Sequence, residues 1–291
     1  MRVYVPKHSG FCPGVEDAQK KILLERDKER KIAVLGHLIH NTRYLSFLEQ
    51  KGIATLHDPA EIPADTVVAI RTHGLRRDQE AELAQRFELI DLTCPKVKQL
   101  QLYIQRHASQ GCFVVITGKH AHPEVRGLVS YARRCLVVER EEDLVKWLAA
   151  QGTEYPDLAG FRGVLVVSQT TGRREAYERT LRSLRKALPP GYPVQTYDSI
   201  CRITSLREAE ALKLQKKVEV TFVVGDRLSS NANKLYNVLK QADDRTYLVQ
   251  DLDDLLEQAP DLDSCRAAQV VSSSSTPVFV EQEIIRYLSD L

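Results

Sequence analysis

Short apolar runs recur along the chain, and amphipathic segments fill the spaces between them. The runs lie at residues 32–35, 66–70, 112–117, 164–167, 218–224 and 267–271, and most are rich in β-branched residues. Runs of this length and composition predict strands buried on both faces, as in parallel sheets. Between them, residues 15–26, 77–86, 97–108 and 206–217 carry helical spacing. The alternation predicts an α/β class with mostly parallel sheets. Residues 1–6 also read as strand-like.

The segment after each run is polar. The first three runs lead into Gly36-His37-Leu38-Ile39-His40-Asn41, Arg71-Thr72-His73-Gly74 and Gly118-Lys119-His120-Ala121-His122-Pro123-Glu124. The later three lead into Ser168-Gln169-Thr170-Thr171, Gly225-Asp226-Arg227-Leu228-Ser229-Ser230-Asn231 and Ser272-Ser273-Ser274-Ser275-Thr276-Pro277. Ligands of open α/β sheets bind beyond the carboxyl ends of the strands. Any single tip serves equally well as a turn or helix cap. All of them together point to one polar site lined from several sheets.

Composition narrows the function classes. The 291 residues are 43% apolar, enough for a real core, and only 27% charged. With 41 basic and 39 acidic residues the net charge is +2, which argues against a disordered tail or a polybasic nucleic-acid arm. The length predicts two or three domains. No apolar run approaches the roughly 18 residues of a membrane span. Residues 1–6 have neither signal-peptide nor transit-peptide character, so the expectation is a cytoplasmic protein with no nucleic-acid or membrane partner.

The chain has six cysteines but no Cys-x-x-Cys pair, which argues against zinc ribbons and ferredoxin-type runs. Three cysteines share one setting: Gly10-Phe11-Cys12-Pro13-Gly14-Val15, Asp91-Leu92-Thr93-Cys94-Pro95-Lys96-Val97 and Asp198-Ser199-Ile200-Cys201-Arg202-Ile203-Thr204. Each comes after a short extended segment and opens an amphipathic helix, and Pro13 and Pro95 suit a first helical turn. Apolar spacing continues through Val97, Leu100 and Ile104 after Cys94, and through Ile203, Leu206, Ala209 and Leu212 after Cys201. Unpaired N–H groups and the dipole at a helix N-terminus favour a thiolate, the metal-binding form. The setting recurs at about domain-length intervals. It predicts three related α/β units, 1–93, 94–198 and 199–291, the last with a C-terminal helix, each bringing one thiolate to a shared centre. Three thiolates are one short of the usual four of an iron–sulfur cluster, which leaves one iron open. Cys112, Cys135 and Cys265 read as small core residues. A thiol nucleophile explains one such cysteine but not three, and a zinc site of Cys and His ligands remains an alternative.

In order along the chain, from about Gly10 to Pro277, these motifs resemble the LytB family of 4-hydroxy-3-methylbut-2-enyl diphosphate reductases, of the methylerythritol phosphate route to isoprenoids. The resemblance implies a trefoil of three α/β units around a 4Fe–4S cluster held by Cys12, Cys94 and Cys201. It implies that the open iron takes the substrate's allylic hydroxyl. Two electrons and two protons then remove that hydroxyl, giving isopentenyl and dimethylallyl diphosphate and water. The implied substrate-binding residues are His40, His73, His122, Thr170, Ser229, Ser230, Asn231 and Ser275, with Glu124 as proton source and Thr170 as relay. Ferredoxin or flavodoxin is the implied electron donor. The sequence departs from the family pattern at Asp17, Ile203, Glu208 and the serines Ser272, Ser273 and Ser274.

Residue chemistry agrees with those roles. Histidines, hydroxyls and an amide supply the donors that a diphosphate needs, and partly protonated histidines add charge where the strand tips carry no P-loop and no Arg/Lys cluster. A buried Glu124 beside an anion has the raised pKa of a general acid; the same residue also fits a helix first turn. His37 and His120 read as turn residues, and His8, His57 and His107 as surface residues. Two other functions stay open: a divergent paralogue acting on another phosphorylated allylic substrate, and a non-catalytic iron–sulfur sensor.

Overall fold

The computed structural model describes residues 1–152, 156–258, 261–262 and 264–291. Along the chain the order begins β1 (Arg2–Tyr4), α1 (Pro13–Arg26), β2 (Ile32–Leu35), α2 (Thr42–Gln50), β3 (Ile53–Leu56), β4 (Val67–Ile70), α3 (Arg77–Arg86) and β5 (Leu89–Asp91). It continues with α4 (Pro95–Ser109), β6 (Cys112–Thr117), α5 (Pro123–Ser130), β7 (Cys135–Val138), α6 (Glu141–Gln151), β8 (Gly163–Ser168), α7 (Arg174–Ala187) and β9 (Val194–Thr196). It ends with α8 (Arg202–Gln215), β10 (Val220–Val224), α9 (Ser230–Ala242), β11 (Thr246–Val249), α10 (Leu252–Gln258), β12 (Ala267–Ser272) and α11 (Val278–Asp290). Packing divides the chain into two compact units, one of Met1–Thr72 with Arg202–Leu291 and one of His73–Cys201.

The first unit holds two sheets. One has the order β1-β12-β10-β11, and in the other β2 lies between β3 and β4; all these ladders are parallel. Val3 pairs with Ala268, so the first strand of the chain belongs to the sheet of its last third. That sheet is packed on both faces. Phe222, Val270, Ile284 and Leu288 form one apolar layer, and Val223, Val271, Leu235 and Leu239 form the other. The side-chain period of two along β10 and β12 sends alternate residues into the two layers.

The second unit is built on a parallel sheet of order β7-β6-β8-β9. In β6, Cys112, Val114 and Ile116 pack with Leu100, Ile104 and Leu128, whereas Phe113 and Val115 pack with Leu184 on the other side. Both faces of β6 and β8 are buried, which explains their unbroken apolar character.

One helix is read differently by the structure. The residues that α8 buries are Thr204, Arg207, Ala211 and Gln215. Leu206 is exposed, so the apolar spacing Ile203, Leu206, Ala209 and Leu212 does not mark its inner face. The buried stripe is mostly polar, and hydropathy alone looks past it.

Candidate active site

In the second unit, the segments after β6, β8 and β9 converge. His122 is the N-cap of α5, and its Nδ1 accepts from the backbone N–H of Glu124 at 3.2 Å. This fixes the tautomer, since an accepting Nδ1 puts the proton on Nε2. The His122 ring meets that of His73 edge to face at 5.3 Å. Glu124 is only 1% exposed. Its Oε1 accepts from Thr170 N–H at 2.6 Å and its Oε2 from the Thr170 hydroxyl at 2.8 Å. Burial pushes the carboxyl up to about 7, against the pull of these two bonds. The Thr170 carbonyl accepts from Cys201 N–H at 2.8 Å. Acid, hydroxyl and the third predicted cysteine therefore form one hydrogen-bonded run within a single unit.

That run is held from below. Ser199 Oγ accepts from Ser168 N–H at 2.8 Å and donates to the Ser168 carbonyl at 2.5 Å, clamping the end of β8 to the segment that leads into Cys201. Cys94 caps α4 with Pro95 at the first helical position. Lys98, one turn on, pairs with Asp91 at 2.8 Å and Glu80 at 2.9 Å, which raises its pKa and keeps it charged. Gly74 turns left-handed at φ 73°, and a Cβ there meets Gln101 Nε2 at 2.6 Å, so this turn requires glycine.

In the first unit, Cys12 caps α1 in extended conformation and Pro13 comes next. Ser229 caps α9, accepting from Ala232 N–H at 3.3 Å. A hydroxyl chain runs from it: Ser275 Oγ to Ser229 Oγ at 3.1 Å, Ser273 Oγ to Ser275 Oγ at 3.0 Å, and Thr276 Oγ1 to Ser273 Oγ at 3.1 Å. Ser230 opens α9 and Asn231, 7% exposed, contacts Ser274. His40 precedes Asn41, the N-cap of α2. Burial first, then His37 and Arg71, hold its pKa below the usual value, with Asp226 opposing. The shift favours the neutral imidazole. Burial above all, with His37 and Arg71, disfavours the imidazolium that the sequence reading invokes for charge.

Sequence reasoning missed several groups in this corner. Asp226 is buried, and its carboxylate accepts from Thr42 N–H at 3.2 Å, Thr42 Oγ1 at 3.1 Å and Leu228 N–H at 2.7 Å. It ties the tip of β10 to the start of α2, next to His40. Asp226→Asn places an amide among these donors, and we expect a loss of about 1–3 kcal/mol in stability. Thermal melts at pH 7 check it, and an unchanged midpoint counts against the role. Arg71, already in the second tip segment, and the buried Arg207 bring positive charge to this unit. The helical spacing of Thr204, Arg207, Ala211 and Gln215 is present in the sequence, but a mostly polar stripe does not register as an inner face.

The other predicted residues have quieter surroundings. Cys112 and Cys265 sit in apolar cores and Cys135 packs against one. All six cysteines lie outside disulfides. His37 packs edge to face on His57 and His40, and His120 is exposed, while His8 is half-buried and bound to Glu210 at 2.7 Å. Asp17 pairs with Lys21 at 2.8 Å and Glu208 with Lys234 at 3.0 Å. Among the described residues, Glu29 is the one non-glycine with positive φ, so Ser272, Ser273 and Ser274 take ordinary conformations that need no glycine. Among the described residues, no group of three or more His, Cys, Asp or Glu side chains gathers as a metal site.

Parallel sheets, helix-capping cysteines and a buried acid–hydroxyl pair define a parallel α/β protein with a buried carboxyl at its strand tips. The chain belongs to the LytB protein family, whose profile matches residues 3–289. It is 35% identical over 97% of both chains to a 4-hydroxy-3-methylbut-2-enyl diphosphate reductase of Oleidesulfovibrio alaskensis. It is 32% identical to that of Petrotoga mobilis, over 99% of this chain and 98% of the relative. Among solved structures, the E-1-hydroxy-2-methyl-but-2-enyl-4-diphosphate reductase of Plasmodium falciparum matches with a TM-score of 0.84 at 25% identity, over 99% of this chain and 88% of that one. A second solved structure, (E)-4-hydroxy-3-methyl-but-2-enyl diphosphate reductase, the terminal enzyme of the non-mevalonate pathway, matches over 100% of both chains with a TM-score of 0.74 and 27% identity.

Proposed function

We propose that this chain reductively removes the allylic hydroxyl of 4-hydroxy-3-methylbut-2-enyl diphosphate. One C–O bond breaks, two electrons and two protons enter, and water leaves with isopentenyl or dimethylallyl diphosphate. The observation that carries this reading is the buried Glu124 carboxyl, bonded twice to Thr170 and poised near neutral pH. A protonated Glu124 delivers its proton through the Thr170 hydroxyl to the departing oxygen. His40, His73, His122, Ser229, Ser230, Asn231, Ser275 and Thr170 supply the neutral donors that hold the diphosphate and orient the hydroxyl.

The donor set fits an iron–sulfur cluster. Cys12 and Cys94 cap α1 and α4 and Cys201 immediately precedes α8; none is in a disulfide. Three cysteines that open helices and stay out of disulfides are the kind of sulfur donor such a cluster takes. In this reading the three units, 1–93, 94–198 and 199–291, form a trefoil and each contributes one cysteine to a 4Fe–4S cluster. When bound, the cluster supplies single electrons and an open iron for an oxygen ligand. Ferredoxin or flavodoxin is the class of donor that would reload it. No helix among the described residues is long and apolar enough to cross a membrane, and we read the chain as cytoplasmic.

Anaerobic reconstitution tests the proposal, with iron and sulfide quantified and turnover measured with a chemical reductant. We expect a brown protein that consumes the hydroxymethylbutenyl diphosphate. A colourless protein with stoichiometric zinc overturns the cluster. A loaded protein inert on this substrate points instead to a paralogue with another allylic diphosphate, the reading that the serines at 272–274 favour.

A further inference from the structure

We propose that Arg207 is a positioning residue that locks the turn before Cys12 and sets the direction of the Asn231 amide. Arg207 lies on α8 and is 1% exposed, the largest fully buried side chain among the described residues. Its guanidinium is used in three directions within the first unit. Nε donates to the His8 carbonyl at 2.5 Å and Nη2 to the Gly10 carbonyl at 2.6 Å. The third is Asn231. With its amide oriented by its surroundings, Oδ1 accepts from Arg207 Nη1 at 3.2 Å and from Ser274 N–H at 3.0 Å. With the oxygen so occupied, the amide N–H groups point the other way.

The turn that Arg207 holds needs holding. Gly10 adopts φ 75°, and its own N–H donates to the Ser272 carbonyl at 3.2 Å. Two residues later comes Cys12, and Ser272 leads into the serine corner. One planar fork therefore ties the cysteine turn to the donor corner through rigid, charge-assisted bonds. Lysine has a charge but no fork, so it cannot reproduce three fixed directions. The buried cation also lies behind the Asn231 amide, on the side away from its donors.

The Asn231 half of this inference rests on the diphosphate reading above; the turn half does not. The test uses the anaerobically reconstituted full chain and Arg207→Lys, with inorganic pyrophosphate as probe. We expect amide exchange at residues 9–12 to rise about 10-fold or more, with exchange in β6 unchanged, and pyrophosphate affinity to fall about 10-fold. In an Asn231→Ala background the same substitution is expected to cost less than about 2-fold in affinity, because the coupled partner is gone. Equal losses in both backgrounds, or unchanged exchange at residues 9–12, overturn the proposal. Asn231→Asp covers the case in which Arg207→Lys does not fold. It keeps an acceptor for Arg207, so protection at residues 9–12 should persist while pyrophosphate binding is lost; lost protection overturns the bridge. A wild-type chain that ignores pyrophosphate sinks the diphosphate reading alone, and exchange still decides the turn.

Discussion

Glu124→Gln is expected to lower turnover about 10²–10⁴-fold, the usual worth of a positioned general acid, with the cluster spectrum intact. The amide keeps the geometry. Its oxygen can accept from Thr170 N–H and its NH₂ can donate to the Thr170 hydroxyl, as a protonated acid would. What it removes is the transferable proton. In the wild type, burial raises the carboxyl from 4.5 to about 7, so activity should fall as pH rises above about 7. Stability moves with the same proton. The folded state binds it more tightly than the unfolded state, so stability falls as pH rises from about 4.5 to about 7 and levels off beyond. Glutamine carries no such dependence. The variant should therefore melt higher than wild type at pH 8, by an amount on the order of 3 kcal/mol or less. The gap should close near pH 4. A variant that retains its rate, or a gap of opposite sign, removes Glu124 from the mechanism.

How much of this was legible depended on burial. The apolar runs at 32–35, 66–70, 112–117, 164–167, 218–224 and 267–271 became β2, β4, β6, β8, β10 and β12, which are buried almost throughout. β3, β5, β9 and β11 gave no comparable signal. Each is three or four residues long with mixed exposure, so its apolar residues neither run together nor alternate cleanly. The helix-opening positions of Cys12 and Cys94 were readable because proline after an extended residue is a local rule. The partnership of Glu124 with Thr170 was reached only through the family resemblance, because 46 residues separate them and only the β6–β8 pairing brings their loops together. Arg207 and Asp226 were hidden for another reason. Charged residues are read as solvent-facing by default, and here each is buried by spending its hydrogen bonds on backbone groups.

Cys12→Ser, Cys94→Ser and Cys201→Ser are each expected to abolish the cluster and turnover with it, whereas Cys112→Ala, Cys135→Ala and Cys265→Ala should keep both. The division comes from setting. Cys12 and Cys94 are half-buried helix caps and Cys201 is half-buried just before α8, so each thiol opens a helix instead of filling a core. Serine there offers a hydroxyl that stays protonated and does not replace a thiolate on iron. Cys112 and Cys135 lie on strands against the core. Burial pushes both thiols up, which disfavours the form a metal needs. Cys265 is 8% exposed, in the core under α11, with its sulfur 3.1 Å from Arg245 Nη2. Removing any of these three costs packing, on the order of 1–2 kcal/mol, and lowers the melting point without touching iron content. Iron and sulfide assays on all six variants separate the groups. Loss of iron in Cys112→Ala, Cys135→Ala or Cys265→Ala at an unchanged melting point would break the assignment, because packing alone has no route to that result.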